Sequence, residues 1–229
     1  DFGGTNEYVD CGTGLGTALG DNYAGSLTVS LWFKADVTNG DDGLFYIGAH
    51  SSTLGEATIY LNGNVLYWKF NQSAWYRYVA FADTTSWHHL VCVYATGSEA
   101  NSKMYLDGVV QAGSSGGSFP AAADMDLAGL KTIIGTYYDT SHTFNGKIDE
   151  VAIWNSVLTS AQVNDIYNGG VPAALTSLSP IGWYRFGENN AGTGTTITDQ
   201  GSGTNNGTLT NSPTFSRSVP AEDAKWNNR

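Results

Sequence analysis

The sequence predicts an all-β fold, a two-sheet antiparallel sandwich with one short helix. Three observations predict it: apolar residues alternating with period two, turn signals recurring about every 8–12 residues, and a single stretch with helical start and stop signals. The 229 residues fit one large β domain.

The elements follow in order. In Leu27–Phe33, Leu27, Val29, Leu31 and Phe33 share one face, while Thr28, Ser30 and Trp32 share the other. Asn39, Gly40, Asp41, Asp42 and Gly43 form a turn cluster, so Asp41 and Asp42 are expected in solvent. Residues 43–48 and 57–61 read as strands, and Asn62-Gly63 between apolar runs signals a hairpin that returns along Val65–Phe70. Parity groups Trp68 with Leu66 and Phe70 in the core. Trp75 follows the expected turn Asn71-Gln72-Ser73-Ala74 and is expected to be exposed. Asp107-Gly108 signals a second hairpin, between residues 103–106 and 109–111. A helix is expected near residues 160 to 168. Thr159 and Gln162 form a capping box, Val163, Ile166 and Tyr167 share one helical face, and Gly169-Gly170 ends it. Beyond residue 170, Trp183-Tyr184-Arg185-Phe186 and Gly207-Thr208-Leu209 read as further strands around a Gly/Thr/Asn-rich loop.

Charge narrows the partners. With 10 Lys+Arg against 21 Asp+Glu, the formal net charge is -11. This argues against nucleic acid and anionic membrane surfaces and is compatible with neutral glycans or cations. No run approaches the ~18 apolar residues of a membrane helix, so no membrane insertion is expected. The chain begins at Asp1, as a processed product or part of a longer protein would.

Five phrases occur in a set order: Trp87-His88-His89-Leu90-Val91, Met104-Tyr105-Leu106-Asp107-Gly108, Ile133-Ile134-Gly135, then the run from Gly146 to Trp154, then the run from Leu158 to Gly170. In this order they resemble the laminin-G-like, concanavalin A-like jelly-roll family, to which pentraxins are related. The resemblance implies a jelly roll with its core in residues 1–170. In relatives, a phrase similar to Trp183 to Phe186, followed by Asp199 to Gly203, precedes the first strand; here it comes last. Residues 171–229 are therefore read as an extension that either completes this sandwich in circularly permuted order or adds strands to a neighbouring subunit. Related pentraxins pair a cysteine matching Cys92 with one on the strand where this chain has Ser30. Buried free thiols at Cys11 and Cys92 are the first reading, and a bridge between them is the alternative.

The family is a binding platform more often than a catalyst, though it includes laminarinases and alginate lyases. Retaining glycosidases need two carboxylates about 5–5.5 Å apart. No Glu-x-Asp-x-x-Glu run is present, and the adjacent Asp149 and Glu150 are expected to point to opposite faces. His88 and His89 occupy a phrase that is structural in relatives. No enzymatic activity is expected. Zinc has no Cys-x-x-Cys or His-x-x-x-His support. Calcium (Ca2+) is the cofactor the resemblance implies, with Asp139 and Asp149 as metal residues. Asp139 lies in the loop following Ile133-Ile134-Gly135, where pentraxins carry their calcium-binding acids, and Asp149 lies where several relatives hold a structural cation. A hydrogen-bonded strand edge is the other reading of Asp149-Glu150.

Aromatics supply the ligand candidates: Trp75, Tyr76 and Tyr78 around Arg77, and Tyr137, Tyr138 and His142 in the second loop. Such rings offer an apolar body with a polar tip. Arg77 could serve a ligand or pair with an acid. Asn71-Gln72-Ser73 and Asn206-Gly207-Thr208 match the glycosylation acceptor pattern. The expected function is a non-enzymatic carbohydrate-binding or adhesion module of a secreted or virion surface protein, with a glycan or cell-surface polysaccharide as partner. The alternative is a structural subunit, a decoration or fibre, acting through a homo-oligomer or virion assembly. A carbohydrate-active enzyme stands third. Composition (13 Tyr, 7 Trp, 29 Gly, 14% charged residues) and the resemblance together place it outside the cell or on a virion surface.

Overall fold

A computed structural model describes residues 1–20, 25–38, 40–49, 56–70, 75–120, 126–137, 139–187 and 192–220, with Asp139 and Thr140 described in their backbone alone. Among these residues two sheets pack face to face. The seven-stranded sheet runs Phe2–Gly3, Asn145–Trp154, Leu27–Ala35, His88–Tyr94, Lys103–Leu106, Val109–Val110, and Gly182–Tyr184 also pairs with Asn145–Trp154. The eleven-stranded sheet runs Ser114–Gly117, Trp75–Ala80, Val65–Phe70, Ala57–Asn62, Asp41–Gly48, Lys131–Ile134, Tyr8–Asp10, Gly207–Thr210, Thr196–Ile197. The strands Thr136–Tyr137 and Asp139–Thr143 lie against Asp41–Gly48, where Thr143 pairs with Gly43 in parallel.

Alternation builds the core. Val29, Leu31 and Phe33 from one sheet meet Phe45, Ile59, Trp68 and Phe70 from the other, all without solvent exposure. Burying each such side chain is worth about 1.5–3 kcal/mol. The helix Ser160–Tyr167 forms where the capping box predicts it. The Gln162 N–H donates to Thr159 Oγ1 at 3.3 Å, and the Thr159 N–H donates to Gln162 Oε1 at 2.9 Å. Its buried Val163 and Ile166 join Val91, Val93, Tyr105 and Trp154 in a second cluster on the outside of the seven-stranded sheet. A further helical turn, Gly14–Leu19, buries Leu15 and Leu19. It is too short to show a helical period in the sequence.

Both predicted hairpins are present. In the first, Asn62 pairs with Val65, so the two central residues are Gly63 (φ 57) and Asn64 (φ 65), one position later than Asn62-Gly63. Both hold the positive φ that this turn requires. In the second, Asp107 (φ 51) and Gly108 (φ 77) are the central pair.

Residues beyond 170 enter both sheets. Gly182–Tyr184 pairs with Asn145–Trp154, and Gly207–Thr210 pairs with Tyr8–Asp10. Two buried carboxylates hold this segment. Glu150 accepts from Trp183 Nε1 at 2.7 Å and Arg185 Nε at 2.9 Å. Asp199 accepts from the Trp183 N–H and the Gly201 N–H with one oxygen and from the Asn205 N–H with the other, each at 2.8 Å. Cys11 and Cys92 are free and buried. Burial pushes both thiols up, Cys11 to about 12.

Two expectations are corrected here. Asp41 and Asp42 open a strand instead of forming a solvated turn. Asp42 pairs with Leu61, whose side chain is in the core, so parity turns the Asp42 carboxylate inward to 9% exposure. Trp75 is also not exposed. It starts a strand in register with Phe70, its ring packs 5.9 Å from that of Phe70, and it is fully buried.

Candidate functional site

The outward face of the eleven-stranded sheet carries the ligand candidates. Inward positions of its hairpins are Ile59, Leu61, Leu66, Trp68 and Phe70, so Tyr60 and Tyr67 must point outward. Register then places Tyr60 opposite Tyr67 and Tyr67 opposite Tyr78. The three rings form one row across three strands. The Tyr60 and Tyr67 rings stack at 4.7 Å with 7° between planes, and Tyr67 meets Tyr78 at 5.7 Å. Tyr76, on the same face of the last strand, lies 6.2 Å from Tyr67 and 5.9 Å from Tyr78. At the other end Tyr137 meets Tyr60 at 5.3 Å, and His142 meets Tyr137 at 4.7 Å. All these rings are partly exposed.

Glycines shape both ends. A Cβ on Gly116 would meet the Tyr76 ring at 2.4 Å, and one on Gly43 would meet the Tyr137 backbone nitrogen at 2.3 Å. Side chains at either place would displace the aromatic row or the strand pair that supplies Tyr137.

Polar groups frame the row. Tyr137 Oη donates to Asp41 Oδ1 at 2.7 Å, and Asp41 Oδ2 faces His142 Nε2 at 3.7 Å. Lys69, beside Tyr76 in register, pairs with Glu56 at 3.4 Å. Burial, with Tyr67 second, raises the Tyr60 phenol well above its ordinary range, so it stays protonated and can donate. Behind the row, burial and then Asp41 push Asp42 up to about 6, opposed by His142.

The structure thus joins the two predicted groups: Tyr76 and Tyr78 connect with Tyr137 and His142 through Tyr60 and Tyr67. Sequence reasoning missed these two linking residues. Their outward parity on either side of the Gly63-Asn64 turn was the available signal. Trp75 leaves the site, because it is fully buried on the inward face; its Nε1 donates to the exposed Glu99 at 3.0 Å. Arg77, in register with the core Trp68, lies over the Trp75 ring at 5.9 Å and reaches the Glu99 carbonyl at 3.5 Å. Tyr138 and the Asp139 side chain lie outside the described residues, as does the acceptor pattern at Asn71-Gln72-Ser73.

Asp149 takes the hydrogen-bonded strand position that is its other reading. It is 7% exposed, and its Oδ1 accepts the Glu150 N–H at 2.8 Å. The cavity it lines also contains Lys147, whose ammonium is 3.5 Å from Asp1 Oδ2 and 3.9 Å from Asp36 Oδ2. Among the described residues no group of three His, Cys, Asp or Glu could hold a metal ion. Glu150, at φ 48 in a bulge of the strand, turns instead toward the cavity of Ser30, Trp32 and His89.

That second cavity contains a Ser-His pair, with Ser30 Oγ 2.8 Å from His89 Nε2. It is about 10 Å³ in volume, too small for a substrate. His89 Nδ1 is buried with no hydrogen-bond partner, and burial lowers its pKa to about 3. The pair lacks the acid that would orient a catalytic histidine.

Solved structures share this architecture. A candidate carbohydrate-binding protein from Bacteroides ovatus aligns at 18% identity with a TM-score of 0.58, over 86% of this chain and 55% of its own. The NanB sialidase from Streptococcus pneumoniae aligns at 19% and 0.52, over 69% of this chain and 26% of its own. The CBM40 of Ruminococcus gnavus IT-sialidase, bound to α2,3-sialyllactose, aligns at 11% and 0.50, over 62% and 83%. The chain thus spans about half of the first and a quarter of the second, and at these identities the likeness is one of fold. No curated protein matches. Residues 3–164, which include the first four ordered phrases, the start of the fifth and every ring of the tyrosine row, match the family model described as concanavalin A-like lectin/glucanases superfamily, and the chain belongs to that family.

Proposed function

We propose that the chain is a non-enzymatic carbohydrate-binding module of a secreted or virion surface protein, and that it binds glycan on the outward face of the eleven-stranded sheet. One observation carries the reading: Tyr60, Tyr67 and Tyr78 form a single register row with Tyr76 and Tyr137 in ring contact around it. Such a row offers flat apolar rings for the C–H faces of sugars, with phenolic hydroxyls at the edges for their hydroxyl groups. Asp41, Lys69 and His142 add polar groups beside the rings.

The acids support binding over hydrolysis. Asp41 is engaged by Tyr137 and His142, and Glu56 by Lys69. The carboxylate next to Asp41, that of Asp42, is turned into the sandwich by its pairing with Leu61, so the two acids do not face a sugar together. An array of plant, microbial and animal glycans tests the reading. The wild-type chain should retain a set of glycans, and Tyr67→Ala should lose them while keeping its melting temperature. Binding that is unaffected by Tyr67→Ala and Tyr78→Ala would overturn it.

A further inference from the structure

We infer, resting on that reading of the face, that its ligand is an uncharged polysaccharide and that the face discriminates against anionic glycans, sialylated and uronate chains included. The inference comes from a census of charge. The strands of the eleven-stranded sheet carry Lys69, Arg77 and Lys131 as their basic residues. Arg77 is in register with the core Trp68, so it is turned away from the tyrosine row. The other two face outward, and each already has a carboxylate: Lys69 has Glu56 at 3.4 Å, and Lys131 has Asp10 at 2.7 Å. His142 has Asp41 at 3.7 Å. Both lysines of this face are therefore matched by an acid of the same face, and its histidine lies beside one.

Recognition of a sugar carboxylate calls for an arginine fork or a lysine available to it. To recruit Lys69 or Lys131, an anionic sugar would have to displace Glu56 or Asp10 and leave that carboxylate without its partner. Asp41 sits at the end of the row with Asp42 behind it, so the nearest unbalanced field is negative. The chain's formal charge of -11 adds repulsion at a distance. Neutral sugars meet none of these costs. They need rings to stack on, donors and acceptors at the rim, and no counter-charge, which is the composition of this face. The likeness in fold to a sialyllactose-bound module therefore does not extend to its ligand.

The test places neutral β-glucan, mannan, arabinan and lactose beside alginate, polygalacturonate and sialyllactose on one array, at low and high salt. The expected result is retention of at least one neutral glycan, lost in Tyr67→Ala, with anionic counterparts roughly fivefold weaker or more at low salt. Glu56→Gln, which releases Lys69, should raise retention of the anionic probes several-fold, provided its melting temperature is kept. Retention of an anionic probe as tightly as the neutral ones, lost in Tyr67→Ala, would overturn the charge inference and leave the face as the site. Glycan binding unchanged by Tyr67→Ala and Tyr78→Ala, or no binding to any probe, would overturn the reading of the face and this inference with it.

Discussion

Replacing Asp42 with asparagine should stabilise the fold at neutral pH and do nothing in acid. Asp42 is 9% exposed, its Oδ2 has no hydrogen-bond partner, and burial raises its pKa from 3.8 to about 6. A carboxyl raised in the folded state binds its proton more tightly there than in the unfolded chain. Its contribution to stability is thus fully present below about pH 4 and is lost as pH rises through about 6. Two pKa units correspond to roughly 3 kcal/mol, and partial solvation of the site reduces this to about 1–2 kcal/mol. Asp42→Asn removes the charge, so its advantage over wild type should be near zero at about pH 4 and about 1–2 kcal/mol at about pH 7.5. Urea denaturation across this range, followed by tyrosine and tryptophan fluorescence, measures the difference. His88, held by Asp107 at 2.7 Å, also has a raised pKa. It loses stabilisation in the same direction, but equally in both proteins, so it cancels from the difference. A variant less stable than wild type at neutral pH, or a difference independent of pH, would refute the reasoning.

Three further outcomes follow from the packing. Trp75→Ala should cost about 3–5 kcal/mol, measured by denaturation, because it empties a fully buried site. Deleting residues 178–229 should abolish cooperative unfolding, since it removes Gly182–Tyr184 and Gly207–Thr210 from their sheets and unpairs the buried Glu150, against a total stability of about 5–15 kcal/mol. A truncated chain with a wild-type melting curve would contradict this. Cys11 and Cys92 should react with a thiol reagent only at the rate of unfolding, because burial both shields them and suppresses their thiolates.

Much of this fold was legible because its signals are local. Alternation in Leu27–Ala35 and Val65–Phe70, the Thr159 capping box and the Asp107-Gly108 turn each depend on neighbours in sequence. The errors arose where a distant partner decides. Trp75 follows a polar stretch and reads as exposed, but its register with Phe70 turns it into the core. Asp42 reads as a turn residue, but pairing with Leu61 sets its parity. The candidate site was half legible for the same reason. Tyr76, Tyr78, Tyr137 and His142 stood out as two clusters in the sequence. Tyr60 and Tyr67, which connect them, are single tyrosines in core strands; their parity marks them as outward, but that they join the two clusters shows only when three strands are placed in register.

The central claim is that glycan contacts the tyrosine row. The most direct measurement labels the tyrosine rings with carbon-13 and follows their nuclear magnetic resonance signals as the best neutral glycan from the array is added. The account predicts that the Tyr60, Tyr67, Tyr76 and Tyr78 rings shift together with one saturation curve, while the buried Tyr94 and Tyr184 stay in place. Shifts confined to rings outside the row, with saturable binding, would contradict it.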